Sequence, residues 1–475
     1  MTISISNGHA NGHSNGHDGP YKQSDEQVWK KVNKSLMNIG VPVTPILIRR
    51  AEGVSMFDSN GREILDFTSG QMSSILGHSH PEICQVVADQ VGRLDHLLST
   101  FISEPVADLA DLLTSLMPDP LDKTFFLNTG SETTEAAIKL AKCASGKFEV
   151  IGFAASYHGL TGAAGAATYS AARKGGGPVM PGQLVFPTPN ALRSPFRKAD
   201  GSYDWEAEMS FGWDLIDRQT VGQLAAFIVE PILSTGGVLD LPVGYLKRLH
   251  GECKRRGMYL IVDEAQTGCG RTGDLWAFQR DGIVPDFVVL SKTLGAGLPL
   301  GAVVTTSEIA EAARQAGFLW LTTHLNDPAT AAIGVKVLEI VVREDLTARA
   351  KHLGGLLRQG LLDLQEKHQA IADVRGRGLL QGIEITAPPG IELDGTKLGA
   401  LVAHKAMDLG LSCNIVNLDG FAGVFRIAPP LVITEQELQR GLDILDDAFG
   451  QVLQGLKKTN QEKVANGVHT PVNLD

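Results

Sequence analysis

Between about Asp122 and Val304 short apolar runs recur at intervals and are separated by helical stretches: Thr124 to Leu127, Glu149 to Phe153, Ala226 to Val229, Tyr259 to Val262, Phe287 to Leu290 and Ala302 to Thr305. This alternation constrains the chain more than any other feature, because strands that are apolar throughout have to be covered on both faces. It predicts an α/β large domain with a mainly parallel, helix-covered sheet. Around it the pattern changes. Short strands with turns at Glu52-Gly53 and Ser59-Asn60-Gly61 precede it. Long amphipathic helices, strand-like runs at Leu379 to Ile385 and Val424 to Ile427, and a helix from Glu435 to about Gln451 follow it. The predicted organisation is therefore a large domain over residues 67–340 and a small α+β domain formed from N- and C-terminal segments, 21–66 and 341–456. Residues 1–20 and 457–475 are expected to be disordered tails.

The first tail repeats Asn-Gly-His three times, ending at His9, His13 and His17. Such a composition cannot repay its own ordering entropy, and the alternative of a histidine metal site lacks acidic or cysteine partners. With 42 basic against 53 acidic residues the formal charge is −11, and no basic stripe relieves it, so nucleic acid is not expected as a partner. No apolar run reaches the roughly 18 residues of a membrane span, and the opening residues lack the order of a secretory signal. A cytoplasmic location without membrane attachment is the expectation. The five scattered cysteines show no metal-ligand spacing and are expected to be reduced, mostly buried thiols.

Two apolar strands end in chemistry. Tyr259 to Val262 runs into Asp263, and Phe287 to Leu290 runs into Ser291-Lys292 and the Gly-rich Gly295-Ala296-Gly297. Open α/β sheets place their sites at the carboxyl edge, where a desolvated lysine becomes a nucleophile. Asn128-Thr129-Gly130-Ser131-Glu132 follows another strand and opens a helix, with Thr129 and Glu132 at capping-box spacing. The free amides of Gly130 and Ser131, added to the helix dipole, suit a phosphate. Each feature alone also suits a surface lysine or a plain helix cap. Together they supply what pyridoxal 5'-phosphate (PLP) needs: a phosphate cradle, an acid for the ring nitrogen and an imine-forming lysine.

Asp263-Glu264-Ala265-Gln266-Thr267-Gly268, Gly270-Arg271-Thr272-Gly273 and Ser291-Lys292-Thr293-Leu294-Gly295 resemble the signature of class III PLP-dependent aminotransferases, of PLP fold type I. Ser69 to Ser73, Asp217-Arg218-Gln219, Glu230 to Ser234, Asp373 to Gly378 and Phe425 to Pro430 most resemble the 2,2-dialkylglycine decarboxylases of that family, over roughly Val41 to Val452. The resemblance implies that Lys292 and Asp263 are catalytic. It also implies that Thr129, Gly130, Ser131, Tyr157, His158, Glu230, Ala265, Gln266 and Thr323 bind cofactor, Thr323 coming from a partner subunit of a homodimer or dimer of dimers. Gln71, Tyr157, Leu160, Thr235 and Arg426 are implied to meet substrate, with Arg426 holding one carboxylate and Gln71 the carboxylate about to leave. Leu97, Ser99, Thr323, Leu325 and Asp327 match a site for a potassium or sodium ion. A glutamate that gates the arginine in many ω-amino-acid aminotransferases is missing here, where Thr235 stands. Tyr157 and Leu160 depart from a tryptophan and a methionine, and both are expected to line the pocket.

The resulting expectation is decarboxylation-dependent transamination of a 2,2-dialkylglycine such as 2-aminoisobutyrate to a ketone and CO₂, with pyruvate or another 2-oxo acid as acceptor. The alternatives are a class III aminotransferase without decarboxylation, a PLP-dependent aminomutase or racemase, and a non-catalytic protein that has kept the fold.

Overall fold

The computed structural model describes residues 23–41, 43–171, 173, 176–416 and 423–465, so the Asn-Gly-His repeats lie outside the described residues. At its centre is a seven-stranded sheet in the order Lys123–Leu127, Gly301–Thr305, Phe287–Leu290, Tyr259–Asp263, Leu224–Val229, Glu149–Phe153, Gln183–Phe186. Every pairing is parallel except those of Gly301–Thr305, which runs antiparallel to both neighbours. The reversal follows from chain length: residues 291–300 contain only one 3-10 turn, too little for the crossover helix that a parallel neighbour requires. The edge strand Gln183–Phe186 carries no readable sequence signal, being four residues set between Pro181-Gly182 and Pro187. The central strands are buried along their whole length, as the uninterrupted apolar runs require.

A second sheet of four antiparallel strands, Ile371–Arg377, Leu380–Ile385, Val424–Ile427 and Asn414–Val416, is built by the C-terminal part of the chain. It packs closely on the segment that follows the central strand Leu224–Val229: Gly382 pairs with Arg426, and a Cβ at Gly382 would lie 2.7 Å from the Val238 side chain. A third sheet joins the two ends of the sequence. Ile48–Glu52, Ser55–Asp58 and Glu63–Asp66 form an antiparallel meander, and Leu411–Ser412 adds in parallel beside Glu63–Asp66. The backbone then continues the link, with Phe67 N donating to Ser412 O and Ala428 N to Phe67 O.

The last helix runs from Glu435 to Ala465, past the expected end near Gln451 and into the tail expected to be unstructured. Residues 457–465 contain no proline or glycine, and lysine, glutamine, glutamate and alanine continue a helix readily. Residues 466–475 lie outside the described ones. Of the cysteines, Cys253 and Cys269 are buried, Cys143 and Cys413 partly so and Cys84 is exposed, all of them free.

Candidate active site

Five strands of the central sheet deliver residues to one cavity at their carboxyl ends. Thr129 to Ser131 follow the first strand, Tyr157 and His158 follow Glu149–Phe153, Glu230 follows Leu224–Val229, Asp263 closes Tyr259–Asp263, and Lys292 follows Phe287–Leu290. The pairing of Asp263 with Val289 puts the acid and the lysine on adjacent strands. The cavity has a volume of about 340 Å³, and Gln71, Ala265, Gln266, Thr235 and Arg426 complete its wall. Lys292 takes φ +28°, a left-handed conformation rare for a side chain of this size and typical of functional positions.

Asp263 is held from two directions. Its Oδ1 accepts from Ala265 N at 3.0 Å, and its Oδ2 is hydrogen-bonded to His158 Nδ1 at 2.8 Å. The His158 contact joins residues 105 apart, so no local spacing announces it. Burial pushes the Lys292 amine below its ordinary value, while Asp263 opposes that shift and Arg426 adds to it. A lysine whose charged form is disfavoured is the amine that condenses with an aldehyde. Glu230 accepts from Tyr157 N at 2.9 Å and Ser234 N at 3.3 Å, and burial raises its carboxyl to about 7.

At the phosphate end, Thr129 caps the helix Gly130–Ser145 by accepting from Glu132 N at 3.3 Å. The reciprocal half of the expected capping box is not made, because the Glu132 carboxylate accepts from Asn128 N instead, at 3.1 Å. Among the described residues the amides of Gly130 and Ser131 find no acceptor. A Cβ at Gly130 would lie 2.8 Å from Ser291 Oγ, so this approach is closed to larger residues.

Arg426 is buried, and burial pushes its guanidinium down to about 10. Its Nη1 donates to Thr235 Oγ1 at 3.3 Å and Gln266 Oε1 at 3.4 Å, Nε has no partner, and among the described residues no carboxylate lies within ion-pair distance. Ser234 Oγ in turn donates to Gln266 Oε1 at 2.8 Å. A desolvated guanidinium hydrogen-bonded only to neutral oxygens is a receptor for a small carboxylate.

One sequence-based placement differs from the structure. Leu160 does not line the cavity: the residue is 56% exposed, and what reaches the site is its backbone, donating to Ser131 Oγ at 3.2 Å. Thr323, expected to act from a partner subunit, is exposed and outside the cavity of its own chain. The segments carrying Leu97, Ser99, Thr323, Leu325 and Asp327 do meet, Ser99 Oγ donating to Thr322 O at 3.0 Å. The Asp327 carboxylate, however, is engaged on Oδ1 by His96 Nδ1 at 2.6 Å and on Oδ2 by His324 Nδ1 at 2.5 Å. The sequence reading missed both histidines, whose ligand atoms lie with that carboxylate within 4.8 Å of one another. Asp327 starts the helix Pro328–Arg343 without a side-chain cap. Met72, Gly159, Ile232, Thr267 and Ser291 also line the cavity and were not anticipated. They are neighbours of anticipated residues, which is the signal that could have found them.

The fold and the lysine–aspartate pair define a PLP enzyme of fold type I, and the donor set fits that cofactor at both its ring and its phosphate. Residues 36–449 match the family model "Aminotransferase class-III". An uncharacterized aminotransferase of Schizosaccharomyces pombe is 50% identical over 421 residues, covering 89% of this chain and 94% of its own. The mitochondrial alanine–glyoxylate aminotransferase 2 homolog 2 of Arabidopsis thaliana is 34% identical over 399 residues, covering 84% and 81%. Among solved structures, the taurine:2-oxoglutarate aminotransferase of Bifidobacterium kashiwanohense, in complex with PLP and glutamate, superposes with a TM-score of 0.82 at 27% identity, over 92% of this chain and all of that one. The chain belongs to the class III aminotransferases and is a PLP-dependent enzyme. Among the described residues no helix is long and apolar enough to cross a membrane.

Proposed function

We propose that this enzyme carries out decarboxylation-dependent transamination: a 2,2-dialkylglycine of the 2-aminoisobutyrate type gives a ketone and CO₂, and pyruvate or another 2-oxo acid then accepts the amino group. The observation that carries the reading is that Gln71 and Arg426 line the same cavity as Lys292, with Arg426 bonded only to neutral oxygens. PLP bound there supplies the electron sink for whichever substrate bond stands perpendicular to its ring. Arg426 holds a carboxylate in a fork, Gln71 offers an amide to a second one, and Lys292 carries the proton to and from the reacting carbon. Asp263, fixed by Ala265 and His158, would pair with the ring nitrogen of the bound cofactor. No step uses a cation at Asp327.

The reading includes a second copy of the chain. Leu98, Phe101 and Ile102 near Ser99 and Leu319 and Leu321 near Thr322 are all exposed, and the Ser99–Thr322 hydrogen bond joins the two segments that carry them, which suits an interface. Thr323 lies on the second of these segments and would reach the partner's phosphate site.

The test is to supply carboxylate-labelled 2-aminoisobutyrate to the PLP-loaded enzyme with and without pyruvate, following CO₂ and the cofactor absorbance. Release sustained only with pyruvate supports the cycle. No release from an enzyme that transaminates alanine would establish the second reading, ordinary class III transamination, which the names of the relatives favour.

A further inference from the structure

Gln71 sits on a backbone that nothing local would favour. Ser69 has φ +47° and Met72 φ +65°, on either side of Gly70 at φ +63°. Left-handed conformations of residues other than glycine persist only where the surroundings impose them. Two buried charges hold Ser69 and Gly70 in place, and neither lines the cavity. Asp66 is fully buried, and its Oδ1 accepts from Thr68 N at 2.8 Å and Thr68 Oγ1 at 2.5 Å. Its Oδ2 accepts from Gly70 N at 2.6 Å and is hydrogen-bonded to His78 Nε2 at 2.8 Å. Arg271, also fully buried, donates from Nη2 to Ser69 Oγ at 3.0 Å and from Nη1 to Leu379 O at 3.1 Å and to Pro429 O. Ser69 Oγ passes the link on to Ala428 O at 2.6 Å. Ala428 and Pro429 directly follow Val424–Ile427, the strand that bears Arg426.

We propose that Asp66 and Arg271 are positioning residues for substrate recognition: they clamp the Gln71 turn to the Arg426 strand, and so fix the spacing between the amide and the guanidinium that receive the substrate's polar groups. The inference rests on the reading of Gln71 given above. Arg271 sets the distance between the two elements through Ser69 and Pro429, while Asp66 sets the twist of the turn through Gly70. Asp66 also faces the Arg271 charge across Ser69, so each ion lessens the burial cost of the other.

The experiment compares PLP-loaded Asp66→Asn, Gln71→Ala and their double variant. It measures CO₂ release from 2-aminoisobutyrate, transamination of alanine, amide exchange over residues 67–73 and the cofactor absorbance. Asp66→Asn and Gln71→Ala are each expected to change the ratio of the two reactions by about tenfold in the same direction, with the double variant no worse than either. Exchange over 67–73 is expected to rise about tenfold in Asp66→Asn but not in Gln71→Ala, the absorbance staying unchanged. Equal loss of both reactions without faster exchange over 67–73 would overturn the inference and leave Asp66 an ordinary core residue. If Gln71→Ala leaves the ratio unchanged, or the enzyme releases no CO₂, the reading of Gln71 fails. The clamp is then decided by exchange over 67–73 and the KM for alanine, which Asp66→Asn should raise about tenfold and which an unchanged value would refute. Should Asp66→Asn not fold, Ser69→Ala removes only the bridging hydroxyl and carries the same expectations at about threefold.

Discussion

Lys292 is placed to move protons because burial disfavours its charged form while Asp263, one strand away, keeps that form accessible. Replacing it with alanine should slow both half-reactions by about 10²–10⁴-fold or more, read in single-turnover assays with PLP bound. Turnover near that of the parent enzyme would remove Lys292 from the mechanism. Arg426 is expected to act through binding. With Arg426→Gln the KM for the amino acid should rise roughly 10–100-fold, the equivalent of losing a charge-assisted hydrogen bond of about 1.5–3 kcal/mol, with the cofactor absorbance unchanged. These two side chains were legible in the sequence because each ends or sits on an apolar strand within a recognisable motif. His158 and His96 had readable identities but no readable partners, since His158 meets Asp263 and His96 meets Asp327 only across the folded chain, whereas His324 lies three residues from its partner Asp327.

Among the elements, the turn after Tyr259–Asp263 carries a carboxylate with a separate job. Glu264 is fully buried, accepts from Phe278 N at 3.0 Å and from the Thr267 hydroxyl, and is raised by burial from 4.5 to about 7. Its folded-state value lies above the unfolded one, so across that window the folded chain keeps a proton that the unfolded chain has released. Stability from this group is therefore lost as pH rises from about 4.5 to about 7, and the loss is complete above it. Glu264→Gln should be relatively more stable than the parent above pH 7 than below pH 4.5, measured as the urea midpoint across the range. An identical pH profile in the two proteins would show that Glu264 does not titrate in this window. The strands themselves were readable from their apolar runs. The direction of Gly301–Thr305 was not, because direction depends on the length and shape of the connection that carries Lys292.

At the scale of the whole molecule, the exposed apolar residues around Ser99 and Thr322 set the last expectation. A charge placed there should block association, so Phe101→Asp is expected to shift the sedimenting species from dimer to monomer and to lose most activity together with PLP affinity. A monomer of full activity would show that Thr323 is not needed in trans. The same scale explains why the site needs both ends of the chain: Gln71 and Arg426 meet because Leu411–Ser412 pairs with Glu63–Asp66 and Ala428 hydrogen-bonds to Phe67.

By itself, the sequence determined the class of fold and the family, and it marked the lysine, the acid and the helix start that line the cavity, because each is written in a local pattern: apolar strands, a cap, and motifs at strand ends. The tertiary structure alone decided what those residues face. It turned Leu160 out of the cavity, brought His96 onto the Asp327 carboxylate, and left Arg426 hydrogen-bonded only to neutral oxygens. The reason is physical: strand and helix patterns arise from the nearest few residues, whereas desolvation, partner choice and the spacing of two side chains are set by segments hundreds of residues apart.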